Sequence, residues 1–364
     1  MNFGLIYELA LPIEVEAAGR TEREIYSEAL QQVELAEEMG FDYVWAVEHH
    51  FLEDLSRSSS PEVFLAAAAQ RTSRIRIGHG VVLTPPPFNH PFRIAERIAA
   101  LDIVSDGRVE FGVGRSITME ELGGFGIAPE DARPMMLEVL PLFAKIWAQR
   151  EFAGFEGQYL SLPPRVVVPK PVQSPHPPMW MACTSPSSFE LAGNMGLGCL
   201  SFTSSNPAEL TGQLTTYREA IKSAEPVGAF VNEQTAGFTV LRCAPDDASA
   251  MQRGGLQGVA HWGRVTRYFG EIAQQAGYTE HRAKVEEREA LAAAEFVPEE
   301  RAAEMIADNR MCVGAPDTCA RVVAEYERIG LDQFMGIVQY GDLTHEESME
   351  TIRLMGEAVI PRFR

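Results

Sequence analysis

The sequence is poor in basic residues for its size, and it lacks any long apolar run. Its 364 residues include 31 Lys and Arg but 51 Asp and Glu, so the formal net charge is −20. This acidic excess disfavours binding of nucleic acid or of an anionic membrane through a general basic surface. The acidic excess does not exclude a local basic pocket for one phosphate group. No apolar run reaches the roughly 18 residues of a membrane span, and we expect a cytoplasmic protein.

Closely spaced cysteines are also absent. The five cysteines form none of the CxxC pairs that are typical of zinc sites: Cys183, Cys199, Cys243, Cys312 and Cys319. This spacing predicts no metal site and favours a reducing compartment. The first residues, Met1 to Glu8, contain an early acid and no basic segment, so they predict a first strand rather than a signal peptide.

Apolar runs that resemble strands alternate with helical periodicities along the whole chain. The segment from Thr21 to Met39 is a typical helical stretch, since its apolar positions share one face before Gly40: Ile25, Ala29, Val33 and Ala36. The alternation repeats about eight times, which predicts an α/β fold with a parallel sheet. Eight units predict a single (β/α)8 TIM barrel over residues 1–364, with a doubly wound sheet as the alternative.

Two segments are too long for ordinary barrel connections. The stretch from Glu151 to Pro178 is rich in proline and aromatic residues and predicts an excursion with a hairpin. Residues 245 to 311 follow the seventh predicted strand and become highly charged after Gly277. They predict an insertion after strand seven that contains a solvated helix or a mobile segment.

The second predicted strand ends in ionisable residues, in the stretch from Trp45 to Phe51 with the sequence WAVEHHF. Alternation along a strand places His49 on one face and His50 on the other. Polar residues at the carboxyl end of an apolar strand are where barrel enzymes keep their chemistry. Either histidine alone is more often a helix cap or a satisfied core residue. Other segments of the chain favour His49 as a functional residue.

Two further polar segments follow predicted strands. Strand four is followed by Gly114 and Arg115, and strand five by the helix start from Thr184 to Ser188. Glycines let a backbone approach a ligand closely, and a helix start that carries hydroxyls can bind an anion. Ser185 and Ser188 are three residues apart, so both hydroxyls can face one phosphate, and Arg115 and Arg133 can supply positive charge. A serine at this position is most often only a helix cap.

Several stretches of the chain together resemble one known family. They read FGLIY, ELAEEMGFDYVWAVEHHF, RIRIGHGVVL, NHPFRIAERIAALDIVSDGRVEFGVGRS, VGAPDTC and a closing run through VIPRF. The ordered pair of EHHF and SDGR to FGVGR is the most specific part. Over nearly the whole chain the sequence resembles the bacterial luciferase family of flavin-dependent monooxygenases.

The resemblance implies roles for individual residues. His49 matches a catalytic histidine that assists the reaction of reduced flavin with oxygen, and Glu48 matches a residue beside the flavin. His261 and Trp262 match a pair that lines the substrate side. The remaining matches are to positions around bound FMN, with a non-prolyl cis peptide at the first two: Gly80, Val81, Gly114, Arg115, Arg133, Thr184, Ser185 and Ser188. The segment from about Gly277 to Glu300 matches a mobile lid.

One position departs from the family pattern. Gly114 stands where luciferases carry a reactive cysteine, so light emission and a long-chain aldehyde substrate do not follow. The resemblance implies an FMN-dependent monooxygenase that oxygenates a small organic substrate with O2 through a peroxyflavin. No dinucleotide-binding fingerprint is present, which favours a two-component system in which a separate flavin reductase supplies reduced FMN. We expect a homodimer, with the small-sided helix from Pro61 to Arg71 in its interface.

Three other functions stay open at the level of sequence. Within the family, the alternatives are a deazaflavin-dependent oxidoreductase and a non-catalytic flavin-binding protein. Outside the family, a barrel metallohydrolase is the alternative, with its candidate ligands His49, His50, His79 and His90. Adjacent histidines diverge on a strand and cannot both reach one metal without distortion, which disfavours that function.

Overall fold

Eleven strands are present in the residues that the structure, a computed structural model, describes: 1–202, 206–275 and 298–364. In chain order they are β1 (Asn2–Tyr7), β2 (Tyr43–Ala46), β3 (Arg76–Leu83), β4 (Val109–Gly114), β5 (Phe155–Glu156), β6 (Ser161–Leu162), β7 (Met179–Cys183), β8 (Gly198–Phe202), β9 (Thr235–Cys243), β10 (Cys312–Gly314) and β11 (Gln333–Ile337).

The helices of the same ranges lie between these strands or, in the case of the last one, after β11. They are α1 (Ile13–Ala17), α2 (Glu22–Glu38), α3 (Pro61–Arg71), α4 (Pro91–Val104), α5 (Met119–Gly124), α6 (Pro129–Ala148), α7 (Pro186–Asn194), α8 (Pro207–Ile221), α9 (Asp247–Ala250), α10 (Leu256–Gly270), α11 (Pro298–Ala307), α12 (Pro316–Arg328) and α13 (His345–Leu354). Short π turns cover Met251–Gly255 and Met355–Val359, and 3-10 turns cover Glu271–Gln274 and Ile360–Phe363.

Eight parallel strands close into a barrel. Their order is β1, β2, β3, β4, β7, β8, β9 and β11, and β11 pairs back onto β1 with Phe334 opposite Phe3. Helices follow most of these strands along the chain. The predicted (β/α)8 TIM barrel is therefore confirmed.

The two predicted excursions differ in how much of them the structure describes. Strands β5 and β6 form an antiparallel hairpin within the stretch from Glu151 to Pro178, as predicted. Between β9 and β11 the chain forms α9, α10, α11, β10 and α12. Strand β10 pairs with the carboxyl-terminal end of β9. The segment proposed as a lid, Gly277 to Glu300, lies outside the described residues except for the start of α11.

Local sequence explains why α2 begins and ends where it does. Thr21 and Glu24 form a capping box, in which Glu24 N donates to Thr21 Oγ1 (3.3 Å) and Thr21 N donates to Glu24 Oε2 (2.8 Å). Such a cap stabilises a helix by about 1 kcal/mol. Gly40 follows the helix with a φ of +85°, a conformation that glycine adopts without strain.

Two tryptophans fill the barrel interior. Trp45 and Trp180 pack edge to face with ring centroids 5.4 Å apart, and Trp180 Nε1 donates to Glu110 Oε2 at 2.6 Å. Gly78 makes room for the first ring, because a Cβ there would lie 2.1 Å from Trp45 Cε3. Gly198 makes room for the Trp180 ring in the same way. The interior is thus packed solid at this level, and open space occurs towards the carboxyl ends of the strands.

Candidate active site

A cleft opens at the carboxyl ends of the barrel strands. Nine of the residues predicted for the site line it: Glu48, His49, Gly80, Val81, Gly114, Arg115, Arg133, Thr184 and Ser188. Ser185, His261 and Trp262 are not part of its wall. Glu8 also lines the cleft, although the sequence analysis did not single it out.

His49 lies in a loop rather than on a strand, because β2 already ends at Ala46. The two histidines still diverge. The His49 ring binds Glu121, with 2.9 Å between Nδ1 and Oε1, whereas the His50 ring binds Glu48, with 3.1 Å between Nε2 and Oε1. Only His49 of this pair lines the cleft. The prediction that the two rings separate is confirmed, but the cause is the loop and not strand alternation.

Glu121, on the short helix α5, holds the His49 ring. Its carboxylate is fully buried and accepts hydrogen bonds from Ser116 Oγ (2.6 Å), Thr118 Oγ1 (2.9 Å) and His50 N (3.0 Å) as well as from His49. Burial raises the pKa of Glu121, but the charge of His49 and these hydrogen bonds lower it by a larger amount. The net shift is therefore downward. Glu121 is therefore an anion at neutral pH. The sequence analysis missed it, and its only local signal is the Thr118-to-Glu121 capping spacing.

The same contact determines the charge and the orientation of His49. Burial lowers the pKa of His49, while the charge of Glu121 and the hydrogen bond to it, with help from Glu8 and Glu48, raise it by more. Nδ1 is thus the nitrogen that donates to Glu121, which leaves Nε2 for chemistry in the cleft. A histidine held in this way can give or take a proton near neutral pH.

Glu8 comes directly after β1 and is 3 % exposed. Burial raises its pKa to about 7, although the charge of His49 opposes the shift. The chain turns sharply after it, since Leu9 has a φ of +53°, and Ser56 Oγ donates to the Glu8 carbonyl at 2.6 Å. A carboxyl group that is half protonated at neutral pH therefore lies in the cleft wall.

Glu48 has a structural role in the cleft wall. Its Oε1 accepts from Asn89 Nδ2 at 2.7 Å and contacts the His50 ring, while its Oε2 accepts from Leu83 N at 2.9 Å. These bonds tie the loop after β2 to the end of β3. Arg97 extends the network by donating to Asn89 Oδ1 at 2.6 Å.

The hydroxyls at the start of α7 are arranged differently from the prediction. Ser188 Oγ accepts from Thr184 N (3.0 Å) and Ser185 N (2.9 Å) and donates to the Ser185 carbonyl (2.6 Å). It therefore serves as a cap and is not free to face an anion together with Ser185. Ser187, which the sequence analysis left out, is the serine that Arg133 binds, with Nη1 donating to its Oγ at 3.1 Å.

The predicted substrate-side pair is set back from the cleft. His261 and Trp262 lie on α10, with His261 only 1 % exposed and its Nε2 3.6 Å from Glu8 Oε2. Burial lowers the pKa of His261 to about 3, and Arg264 adds to the effect, so the ring is neutral. Both side chains are buried on α10 and neither lines the cleft, and His261 lies behind Glu8.

Close packing between β3 and β4 accounts for Gly114. The Gly80–Val81 peptide bond is cis, as the family resemblance implies, and Val81 lines the cleft. A Cβ at Gly114 would lie 2.5 Å from Val81 Cγ2. A cysteine at this position would require the valine to move, so glycine here is consistent with the local packing.

The described residues contain no group of three His, Cys, Asp or Glu side chains that is placed to hold a metal ion. The histidines proposed for a metallohydrolase have separate partners. His79 is buried, and burial lowers its pKa to about 4, while His90 caps α4 by accepting from Phe92 N. No helix within the described ranges is long and apolar enough to cross a membrane.

Comparison with known proteins identifies a family and several relatives. The luciferase-like monooxygenase family model matches residues 2–333. Limonene 1,2-monooxygenase of Rhodococcus erythropolis is 35% identical over 184 residues, which are 49% of this chain and 45% of that protein. The oxygenase component of a flavin-dependent trigonelline monooxygenase of Acinetobacter baylyi is 28% identical over 192 residues, 52% of each protein. The matches thus span about half the length of these curated relatives.

Solved structures share the fold over the full length of the chain. Monooxygenase RslO1 from Streptomyces bottropensis has a TM-score of 0.80 and 28% identity, with 100% of both chains covered. The oxygenating constituent of 3,6-diketocamphane monooxygenase of Pseudomonas putida, in complex with FMN, has a TM-score of 0.76 and 23% identity over 100% and 98% of the chains. An F420-dependent secondary alcohol dehydrogenase has a TM-score of 0.74 and 20% identity over 100% and 99%.

Proposed function

Because this chain belongs to the luciferase-like monooxygenase family, we propose that it is a flavin-dependent monooxygenase that uses O2 to oxygenate a small organic substrate. Reduced FMN is its cofactor. A separate flavin reductase supplies it, in keeping with the trigonelline relative, which is named as an oxygenase component. Bound reduced flavin would supply the electrons that activate oxygen.

The observation that supports this proposal most is the basic side of the cleft. Arg115 and Arg133 line it, and Arg133 is bonded to Ser187 at the start of α7. Two guanidinium groups beside a helix start suit a phosphate. The ionisable groups Glu8 and His49 follow β1 and β2, which lie across the barrel from β7 in the strand order. Between the two sides the wall is largely apolar, as a flat ring system requires: Val81, Leu83, Met181, Ala182, Leu200 and Phe238.

The residues near His49 have distinct roles in this proposal. His49 holds or moves a proton at Nε2, and positioned proton transfer is worth roughly 10²–10⁴-fold in rate. Glu121 orients the ring through Nδ1. The apolar wall and the depth of the cleft limit the access of water, which protects reactive species from premature breakdown.

The phosphate side can be tested by comparing FMN with riboflavin, which lacks the phosphate. A charged hydrogen bond is worth about 1.5–3 kcal/mol. We therefore expect Arg133→Ala to weaken binding of reduced FMN by about tenfold or more, measured by anaerobic fluorescence titration, and to leave riboflavin binding almost unchanged. Arg93→Ala removes an exposed arginine of α4 and serves as the control.

The outcomes separate the candidate functions. Equal loss of FMN and riboflavin in Arg133→Ala would show a general structural effect and contradict the phosphate assignment. Binding of the deazaflavin F420 in preference to FMN would assign the chain to hydride transfer, like the F420-dependent dehydrogenase that shares its fold. Flavin binding without oxygenation by a reconstituted reductase system would favour a non-catalytic flavin-binding protein.

A further inference from the structure

Ser116 connects the two functional sides of the cleft. It directly follows Arg115, which lines the basic side, and its hydroxyl donates to Glu121 Oε2 at 2.6 Å. The other carboxylate oxygen of Glu121 binds Nδ1 of the His49 ring at 2.9 Å. One serine, 5% exposed, therefore joins the backbone beside Arg115 to the carboxylate that orients His49.

The backbone of Ser116 has a conformation that serine rarely adopts. Its φ is +70°, in the left-handed region that favours glycine. Such a conformation persists in a folded protein only where the surroundings hold it. Two hydrogen bonds hold it here, because Ser116 Oγ accepts from Thr118 N at 3.2 Å in addition to donating to Glu121. The serine hydroxyl thus stabilises the turn by which the chain leaves β4.

Arg115 lies between two anchored neighbours. Before it, the Gly114 carbonyl accepts from Thr84 N at 3.0 Å and from Thr84 Oγ1 at 3.3 Å. After it, the Ser116 hydroxyl is bonded to Glu121. A side chain with a backbone held on both sides binds a ligand more tightly, because less conformational entropy is lost on binding. The second of these anchors depends on the serine hydroxyl.

We propose that Ser116 is a positioning residue that holds Arg115 and the pair of Glu121 and His49 in one common arrangement. This inference rests on the proposed function, in which Arg115 contacts the cofactor phosphate and His49 moves a proton. The phosphate contact determines where the ring system of the cofactor lies, and His49 must meet it there. A misplacement of about 1 Å can lower a rate by about 100-fold. Ser116 acts through Arg115 and Glu121.

Thr118 provides a matched comparison within the same cluster. Its Oγ1 also donates to Glu121 Oε2, at 2.9 Å, and its side chain is fully buried. Unlike Ser116, it does not adjoin Arg115 in the chain. Loss of either hydroxyl removes a donor from the same carboxylate oxygen, but only loss of the Ser116 hydroxyl releases the backbone beside Arg115. Variants at the two positions therefore separate an effect on Glu121 from an effect on Arg115.

The test compares the binding of reduced FMN and of riboflavin by anaerobic fluorescence titration. We expect Ser116→Ala and Ser116→Gly to weaken FMN binding about fivefold or more, the effect of one lost hydrogen bond, and to change riboflavin binding less than about twofold. Glycine adopts the φ of Ser116 without strain, so a loss in Ser116→Gly arises from the missing hydroxyl. Thr118→Ala should keep the wild-type ratio of FMN affinity to riboflavin affinity.

A double-mutant cycle shows whether Ser116 acts through Arg115. Once Arg115→Ala has removed the guanidinium group, Ser116→Ala should have little further effect on the ratio of FMN affinity to riboflavin affinity.

The contact with Glu121 is measured in the protein without flavin. Burial raises the pKa of Glu121, while His49 and the hydrogen bond from Ser116 lower it. The pKa of this carboxyl should therefore rise in Ser116→Ala, which carbon NMR of labelled glutamate measures.

Each result supports or overturns the inference. A reduced preference for FMN in both Ser116 variants, absent from Thr118→Ala and not additive with Arg115→Ala, supports it. An unchanged preference in the Ser116 variants, an equal loss in Thr118→Ala, additivity with Arg115→Ala, or an unchanged pKa of Glu121 overturns it while the flavin assignment stands. Equal binding of FMN and riboflavin by the wild type would overturn the phosphate assignment and this inference together. Thermal unfolding checks that each variant keeps its fold, with Arg93→Ala as the exposed control.

Discussion

At the scale of single residues, His49 shows two opposing effects on one side chain. Burial disfavours the charged imidazolium, whereas Glu121 favours it through charge and a 2.9 Å contact. The net shift of the His49 pKa is upward, so the carboxylate outweighs the loss of solvation. A charged hydrogen bond in a water-poor site is strong enough for this, at about 1.5–3 kcal/mol.

Removing the charge of Glu121 should reverse that balance. In Glu121→Gln we expect the pKa of His49 to fall below its value in the wild type, because burial is then opposed only by the smaller effects of Glu8 and Glu48. Titration of the His49 ring protons by NMR measures the shift directly. Glu325→Gln is the control, since Glu325 lies on α12 and pairs with the exposed Arg328. An unchanged or higher pKa in Glu121→Gln would show that Glu121 does not determine the protonation of His49.

The same pair predicts how stability depends on pH. The raised pKa of His49 contributes stability that is complete below its ordinary value of 6.5 and is lost as pH rises through the folded-state pKa. The lowered pKa of Glu121 contributes stability present above its ordinary value of 4.5 and lost as pH falls through the folded-state pKa. The contribution of the pair is therefore largest between these limits, and Glu121→Gln should flatten the stability profile there.

Site residues were predictable from sequence where they follow a strand within a distinctive stretch. Glu48, His49 and Arg115 meet this condition. Glu8 does not stand out in the sequence, because its pKa is raised only through burial in the fold, where it lies beside the neutral His261. Ser188 shows a different limit, since spacing alone does not reveal whether a hydroxyl binds its own helix or a ligand. Contacts made after folding decide such cases.

At the scale of elements, helix α10 depends on a glycine for its position. A Cβ at Gly258 would lie 2.6 Å from Met311 Sδ and 3.2 Å from Val240 Cγ2, both of which are buried. Gly263, on the same helix, has no atom within 4 Å of such a Cβ. The first glycine thus allows close contact with β9, while the second only adds flexibility to the helix.

These two glycines form a matched pair for mutation. We expect Gly258→Ala to destabilise the protein by about 1–3 kcal/mol, because it overfills a packed contact. Gly263→Ala should be neutral or stabilising by up to about 1 kcal/mol, since alanine is the better helix former. Chemical denaturation measures both. Similar effects of the two substitutions would contradict the close packing of α10 at Gly258.

The sequence analysis missed two short elements, β10 and α5. Barrel strands and helices such as α2 are long enough to show a period, and the alternation of their patterns predicted the fold. Strand β10 has 3 residues and helix α5 has 6, too few for a clear period. Missing α5 mattered for the site, because this helix carries Glu121.

At the scale of the whole molecule, the predicted dimer face can now be described more closely. Helix α3 turns Phe64, Leu65, Ala68 and Ala69 into the core, so half of its run from Ala66 to Ala69 is not available to a partner. Its outward side carries Val63, which is 65% exposed. Ile103 and Val104, at the end of the neighbouring α4, are 45% and 46% exposed. If α3 lies in an interface, we expect Val63 to be its main apolar contact, beside the half-buried Ala66 and Ala67.

This argument gives a test of assembly. Two copies of the 40.2 kDa chain would sediment as one species at micromolar concentration. We expect Val63→Glu to convert that species to monomer, because a dimer would bury two uncompensated charges close to its axis. Val168→Glu is the matched control, since Val168 is 61% exposed and lies on the excursion after α6 rather than on α3. A monomeric wild type would refute the dimer, and dissociation by Val168→Glu alone would move the interface to the excursion.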